Sequence, residues 1–594
     1  MRERLLTRHF LRRFLDNDLI SPNADRHEVL AVVAASLATL GLFVTVLLSI
    51  KYQFEPLQAP GKTSIQALDD RFLYIGASMI VMALVALAQW DAIVLDVRDA
   101  SILGPLPLSR GIVIRAKLTA VVLFATGFAV ALNLLPSLFY PVLLVSKLPA
   151  SLLGVARLVG AHAFVTVAAG AFGFLAVICI RECLHAVIGP RWFAKFSSLV
   201  QAGLLIVLVT SSLLLPGSSS DVSRSWLATG RSTSIAVPPL WFLGLHEIIA
   251  GDVVDGLRRT PPPADAPRRQ DLLDAEARYT GEYRGHRGEF GTLAQTAVLA
   301  LGLTLLSGLA GFAWNARRIP DPTVTRPAGR GWTRSGRRWI VAHVLGRRPL
   351  VAAGFYFTAQ TLSRSLAHRV ALGTSLAMGL AAAIVMLRGV DVRALGAVDT
   401  MPIAVFAVQT AFVALLVAGV RHAVRVPADL GANWTFQMTW PEDERGYLTG
   451  LKRAALVVVA LPVVALLAPL HALALGPSLA LAHIGCGILL ALVLLEIAFL
   501  GYRHVPFASS YVPSGNAIGR SPLYLVAFLV ATYAFAWLER LALASASGML
   551  ILGICMTLLL AGLRAASIWR HTTRVAIDWA ELPASVTQRL SLNE

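Results

Sequence analysis

Three groupings in this 594-residue chain carry residue types that could do chemistry. The first is a basic pattern that occurs twice. Arg110–Gly111, Lys117 and Ala120 in "SRGIVIRAKLTA" recur at the same spacing as Arg445–Gly446, Lys452 and Ala455 in "ERGYLTGLKRAA". Each set lies just after a proline, Pro107 or Pro441. Cations behind a proline-stiffened entry suit docking on a partner, or fixing topology, rather than bond-making. The second grouping is His246–Glu247 in "PPLWFLGLHEIIAG", which could hold a metal or move protons but has no further ligand cluster beside it in sequence. The third is a pair of glutamates, Glu182 and Glu496, near the inner ends of apolar runs. A charge at a bilayer centre costs about 2.5 to 3.5 kcal/mol on insertion scales, and less near an interface. Such residues serve as caps or interhelical hydrogen bonds, or else touch a substrate or a proton.

Two other signals fail. "APGKTS", Ala59 to Ser64, has Pro56 where a phosphate loop needs its first glycine, so it reads as a turn and the chain has no nucleotide-binding motif of its own. Cys179 and Cys183 share a helical face without histidine or acidic company and read as small buried hydrophobes. No catalytic, cofactor or metal residue is assigned.

The elements that must position these groups are membrane helices. The chain is 56% hydrophobic and 14% charged, with a mean hydropathy of +0.68; soluble proteins carry roughly a quarter charged residues. The apolar residues come in blocks of about 18 to 25, the length of a bilayer-crossing helix. An all-α polytopic membrane protein is expected, with the lipid bilayer as its surroundings. The net charge of +18 lies between the blocks, which points to membrane topology and not to nucleic acid.

Twelve spans are expected, at about 29–50, 73–95, 117–140, 158–180, 197–216, 292–315, 370–387, 402–420, 454–474, 479–500, 523–538 and 548–565. Lys and Arg concentrate in the connections that would be cytoplasmic if the N-terminus is, so both termini are placed in the cytoplasm. From Arg317 to Arg369 the chain has eleven arginines and one acid, Asp321. This block divides a first half, 1–316, from a second, 355–594, by a basic linker, 317–354. Six spans per half make the halves parallel repeats. Each half opens with an amphipathic segment suited to the membrane surface, 2–18 and about 355–368. A near charge-balanced outer loop, 217–289, separates spans five and six. Trp241, Phe242, Leu245, Ile248 and Ile249 could rest it on the membrane.

With these residues in view, the chain resembles the permease half of ABC exporters of the ABC-2 type. "VRDASILGPLPLSRGIVIRAKL", residues 97–118, is similar to the coupling segment such permeases carry between spans two and three. The resemblance implies that Leu106, Pro107, Arg110 and Lys117 in the first half contact or orient a separate ATPase. Trp440, Pro441, Arg445 and Lys452 would do so in the second half. It further implies a bacterial cytoplasmic membrane location, two ATPase copies as partners, and ATP used by that partner and not bound here. The chain departs from the family in fusing two six-span units and in lacking a long insertion between its last two spans.

The expected function is therefore a fused exporter permease. The alternatives are a secondary transporter of 6+6 architecture, which would need buried charges of which few are expected here, and a lipid-modifying membrane enzyme. No residue pattern singles out the cargo.

Overall fold

The computed structural model describes residues 2–15, most of 38–50, 60–93 except 91, 99, 103, 105–145, 152–229, 237–257, 270, 274, 287–316, 348–390 except 389, 401–428, 438, 444–508 except 503, and 516–573. Among them every regular element is a helix, apart from one isolated bridge at His504. In chain order they are α1 (Arg2–Leu15), α2 (Pro60–Ala88), α3 (Arg110–Val145), α4 (Leu152–Thr229), α5 (Pro238–Leu257), α6 (Arg287–Ala316), α7 (Pro349–Arg364), α8 (Leu366–Leu387) and α9 (Ile403–Arg425). There follow α10 (Glu444–Ala454), a π turn (Ala455–Ala460), α11 (Leu461–Leu475), α12 (Pro477–Phe499), α13 (Asn516–Leu543) and α14 (Ala546–Thr573).

Eleven helical stretches among the described residues are long and apolar enough to cross a membrane. They coincide with eleven of the twelve expected spans, and the protein is an all-α multi-pass membrane protein. The remaining expected span, 29–50, lies mostly outside the described residues.

Glycine and proline set the breaks. Gly476 (φ 78°) ends α11 and Pro477 starts α12 on the next residue; only glycine adopts that φ without strain, and proline is preset for a first helical turn. Gly189 (φ 74°) kinks α4, so that its two arms are the fourth and fifth spans. Proline is also the first residue of α2, α5 and α7. Pro60 to Ser64 of the expected turn thus open a helix. Pro462 lacks the N–H that an α-helical bond to Val458 would need, and the π turn immediately before it relaxes that demand.

The chain forms two compact units: 1–17, 24–197 and 211–325 in the first; 18–23, 198–210 and 326–594 in the second. In the first, α1 packs along the start of α3, with Phe10 and Phe14 buried and the Phe14 ring 5.1 Å from Phe124. In the second, α7 packs on α10, burying Phe355, Ala359 and Leu362. The α7–α10 crossing is close because it is built on two glycines. A Cβ at Gly354 would strike the carbonyl oxygen of Tyr447, and one at Gly450 would strike that of Val351. The two opening helices therefore lie on protein, each against the first turns of its unit's third span.

Arg110 to Ala120 is the beginning of one continuous 36-residue helix, α3. One expectation is corrected here: 217–289 is not a loop throughout. The helix α4 runs on to Thr229, and α5 buries Leu240, Phe242, Leu243, His246, Glu247 and Ala250. Of the five residues expected at the membrane surface, Phe242 is buried, Ile248 is exposed, and Trp241, Leu245 and Ile249 are half-buried.

Candidate functional site

The basic turn comes first. Leu106 N donates to Leu103 O (3.2 Å) and Leu108 N to Leu106 O (2.7 Å), a tight turn that presents Leu106, Pro107 and Arg110 to the exterior. Leu106 is 48% exposed and free to make a contact. Helix α3 follows without a break. Its 36 residues measure about 54 Å at 1.5 Å each, against about 30 Å of bilayer core. The first turns can therefore project beyond the bilayer while remaining rigidly joined to the span.

Lys117 does not belong to this exposed surface. It is fully buried, with Nζ 3.9 Å from Asp99 Oδ2 and stacked over the rings of Phe10 (4.6 Å) and Phe14 (5.0 Å). It ties α1 to α3 and is unable to reach a partner, which corrects its expected contact role. In the second half Arg445 is half-buried, and Trp440 and Pro441 lie outside the described residues. The half-buried Lys452 donates from Nζ to Glu496 Oε2 at 2.5 Å, and Arg564 Nε stands 3.5 Å from Glu496 Oε1. Glu496 thus joins the third, fourth and sixth spans of its half.

Glu182 has the corresponding role in the first half. Asn315 of α6 donates from Nδ2 to its Oε2 (2.5 Å) and to its backbone oxygen (3.2 Å), and Arg181 donates to Oε1 (2.6 Å). Gly311 admits this approach, since a Cβ there would lie 2.7 Å from Glu182 Cβ. Both glutamates are structural hydrogen-bonding hubs. Cys179 and Cys183 are free, and Cys183 is exposed and not buried as expected.

The structure also assembles two buried polar clusters that the sequence left scattered. In the first unit, Glu247 of α5 accepts a charged hydrogen bond from Arg71 of α2 in a fully desolvated pair. Arg71 Nε is held by Ala67 O (2.8 Å). His246 stands edge-on to His162 of α4, centroids 5.8 Å apart, and His162 packs against Tyr74 (5.2 Å) and Tyr140 (5.1 Å). Tyr74 donates to Thr45 Oγ1 (2.8 Å) and Tyr140 to Ala67 O (3.2 Å). Helix α5 is not among the eleven apolar stretches; burial there pushes the His246 imidazole below its ordinary value, opposed by the Glu247 carboxylate and reinforced by Arg71.

In the second unit, His483 Nδ1 of α12 and Glu539 Oε1 of α13 share a hydrogen bond of 2.7 Å, both groups fully desolvated. The His471 ring of α11 stands edge-on to it at 4.6 Å, and Phe406 of α9 covers another side at 5.7 Å. Gln409 of α9 donates to His483 O (2.7 Å). Each unit therefore contains two facing histidines and a buried glutamate. His483 and Glu539 interrupt apolar spans, and an intramembrane ionisable residue is in itself a functional signal. The pairing across spans could not be read from sequence. The expectation of few buried charges is overturned by these clusters. No set of three His, Cys, Asp or Glu able to hold a metal ion occurs among the described residues.

Compared with protein-family profiles, curated proteins and solved structures, the chain gives no match.

Proposed function

We propose that the protein is the membrane permease of an ATP-driven exporter of the ABC-2 kind in a bacterial cytoplasmic membrane, with both termini on the cytoplasmic side. The observation that carries this is the exposed turn Leu106–Pro107–Arg110 at the head of α3, backed by a second helix. A push on that turn is delivered along a continuous helix, because α1 locks its first turns through Phe10, Phe14 and Lys117. The second half offers the same construction, α10 continuing through the π turn into α11 and braced by α7. Leu106, Pro107, Arg110 and Arg445 would meet a soluble ATPase, with Trp440 and Pro441 as the remaining contacts. Lys117 and Lys452 would orient those surfaces from within. The chain would use no catalytic residue or cofactor of its own.

Capture of an ATPase by the full-length protein tests this. The unaltered chain should co-purify with the ATPase subunit, and Arg110→Glu with Arg445→Glu should abolish capture while leaving the protein folded. Recovery of no ATPase, or undiminished capture by the double reversal, defeats the proposal.

A second reading, a secondary transporter of two six-span halves, is favoured by the buried His–Glu pairs. Ion-coupled transport in reconstituted vesicles, without ATP, would select it.

A further inference from the structure

The two buried clusters solve one electrostatic problem in different ways. Each must neutralise a glutamate that water does not reach. In the first unit the countercharge is permanent, because Arg71 is paired with Glu247 and a guanidinium does not deprotonate in proteins. In the second unit the ion-pair partner of Glu539 among the described residues is His483 alone. The neighbouring arginine, Arg540, is turned away and donates from Nη1 to Met401 O at 2.9 Å. A His–Glu pair is neutral only while it holds one proton, whether that proton is written on the imidazole or on the carboxyl. Without it, Glu539 would be a bare carboxylate at 1% side-chain exposure, with no cation beside it among the described residues. That state is strongly disfavoured in an apolar interior.

We propose that the second half contains a membrane-buried proton-binding site at His483 and Glu539, whose proton stands where the first half has the fixed charge of Arg71. The remaining groups facing the pair fit this assignment. From α11 comes His471, whose Nε2 finds no hydrogen-bond partner among the described residues and whose ring touches His483 edge-on. From α12 comes the uncharged Cys486 thiol, close to Glu539. From α9 come Gln409 and Phe406, both uncharged. His483 Nε2 is likewise unpartnered among the described residues. Among the described residues the neighbouring titratable acceptor is His471, four residues before the end of α11 at Leu475. Release runs from the His483–Glu539 pair to His471 and on toward that helix end. It requires the pair to open, so that water or another cation can take over Glu539. No bond other than those to the proton is made or broken.

The assignment goes beyond the proposed function and needs neither a partner nor a cargo to be tested. Full-length protein labelled with 15N-histidine, in lipid nanodiscs, is followed by NMR from neutral to alkaline pH, with infrared detection of protonated carboxyl in parallel. The wild-type protein should retain one buried proton, seen as an imidazolium or as a protonated carboxyl, after the exposed histidines have become neutral. Glu539→Gln should remove that signal, His483→Gln should remove any imidazolium and leave the proton on the Glu539 carboxyl, and Glu247→Gln should leave the wild-type signal in place. Should the Glu539 and His483 variants fail to fold, the wild-type titration decides alone: absence of both signatures overturns the site. Persistence of the signal in a folded Glu539→Gln protein, or its loss in Glu247→Gln, overturns it equally. Failure of ATPase capture would leave this result unaffected.

Discussion

Lys117 offers the sharpest separation between a docking cation and a structural one. Its Nζ lies 3.9 Å from Asp99 Oδ2, and both side chains are almost completely buried. At an effective dielectric constant of 20, two unit charges at that distance attract by about 4 kcal/mol. Burying the two ions costs several kcal/mol each, so the intact pair is close to break-even against an apolar replacement. Losing one member is a different matter, because it strands the other charge. Asp99→Asn should therefore destabilise the first unit by about 3 to 5 kcal/mol, and Lys117→Met by a similar amount. Lys117→Met also forgoes the cation–π contacts with Phe10 and Phe14, about 0.5 to 2 kcal/mol. The double variant Asp99→Leu/Lys117→Met should recover most of the loss, giving a coupling of several kcal/mol. The assay is chemical denaturation in detergent, with protease sensitivity of α1 reporting its release from α3. If Lys117→Met leaves stability unchanged but abolishes ATPase capture, the cation works outward and the assignment to the α1–α3 joint is refuted.

Three other perturbations follow from the geometry. Leucine at Gly450 should part α7 from α10, because the Cβ alone meets the Val351 carbonyl; overpacking of this kind costs about 1 to 3 kcal/mol or more, measurable by thermal unfolding. Asn315→Leu removes the donor that satisfies Glu182 and leaves an under-bonded buried carboxylate, so a loss of about 1 to 3 kcal/mol is expected, with little effect from the isosteric Asn315→Asp only if it is protonated. His246 binds a proton less readily folded than unfolded, so the stability it contributes is present above the ordinary value of 6.5 and is lost as the pH falls below it, down to the lowered folded value. A pH series of denaturation curves should show that acid-side slope, and His246→Gln should flatten it.

Much of this was legible in the chain itself. Apolar blocks of span length determined that the protein is helical and membrane-embedded, and they placed eleven spans within several residues. The stripe Phe355, Ala359, Leu362 was readable because α7 is amphipathic, and a polar face identifies its opposite. The repeat of Arg110 and Lys117 at Arg445 and Lys452 was readable as a spacing, and so were Glu182 and Glu496 as interruptions.

Only the tertiary structure decided which way each group faces. Within a bilayer, the lipid-facing and protein-facing sides of a helix are both apolar, so periodicity does not distinguish them. Nothing local to "RGIVIRAKL" says that Arg110 is exposed and Lys117 buried seven residues later; α1, folding back on α3, makes the difference. His483 and Glu539 are 56 residues apart, and Arg71 and Glu247 are 176 apart. Such partners meet because a buried charge must find a countercharge, and the fold alone determines which one is within reach.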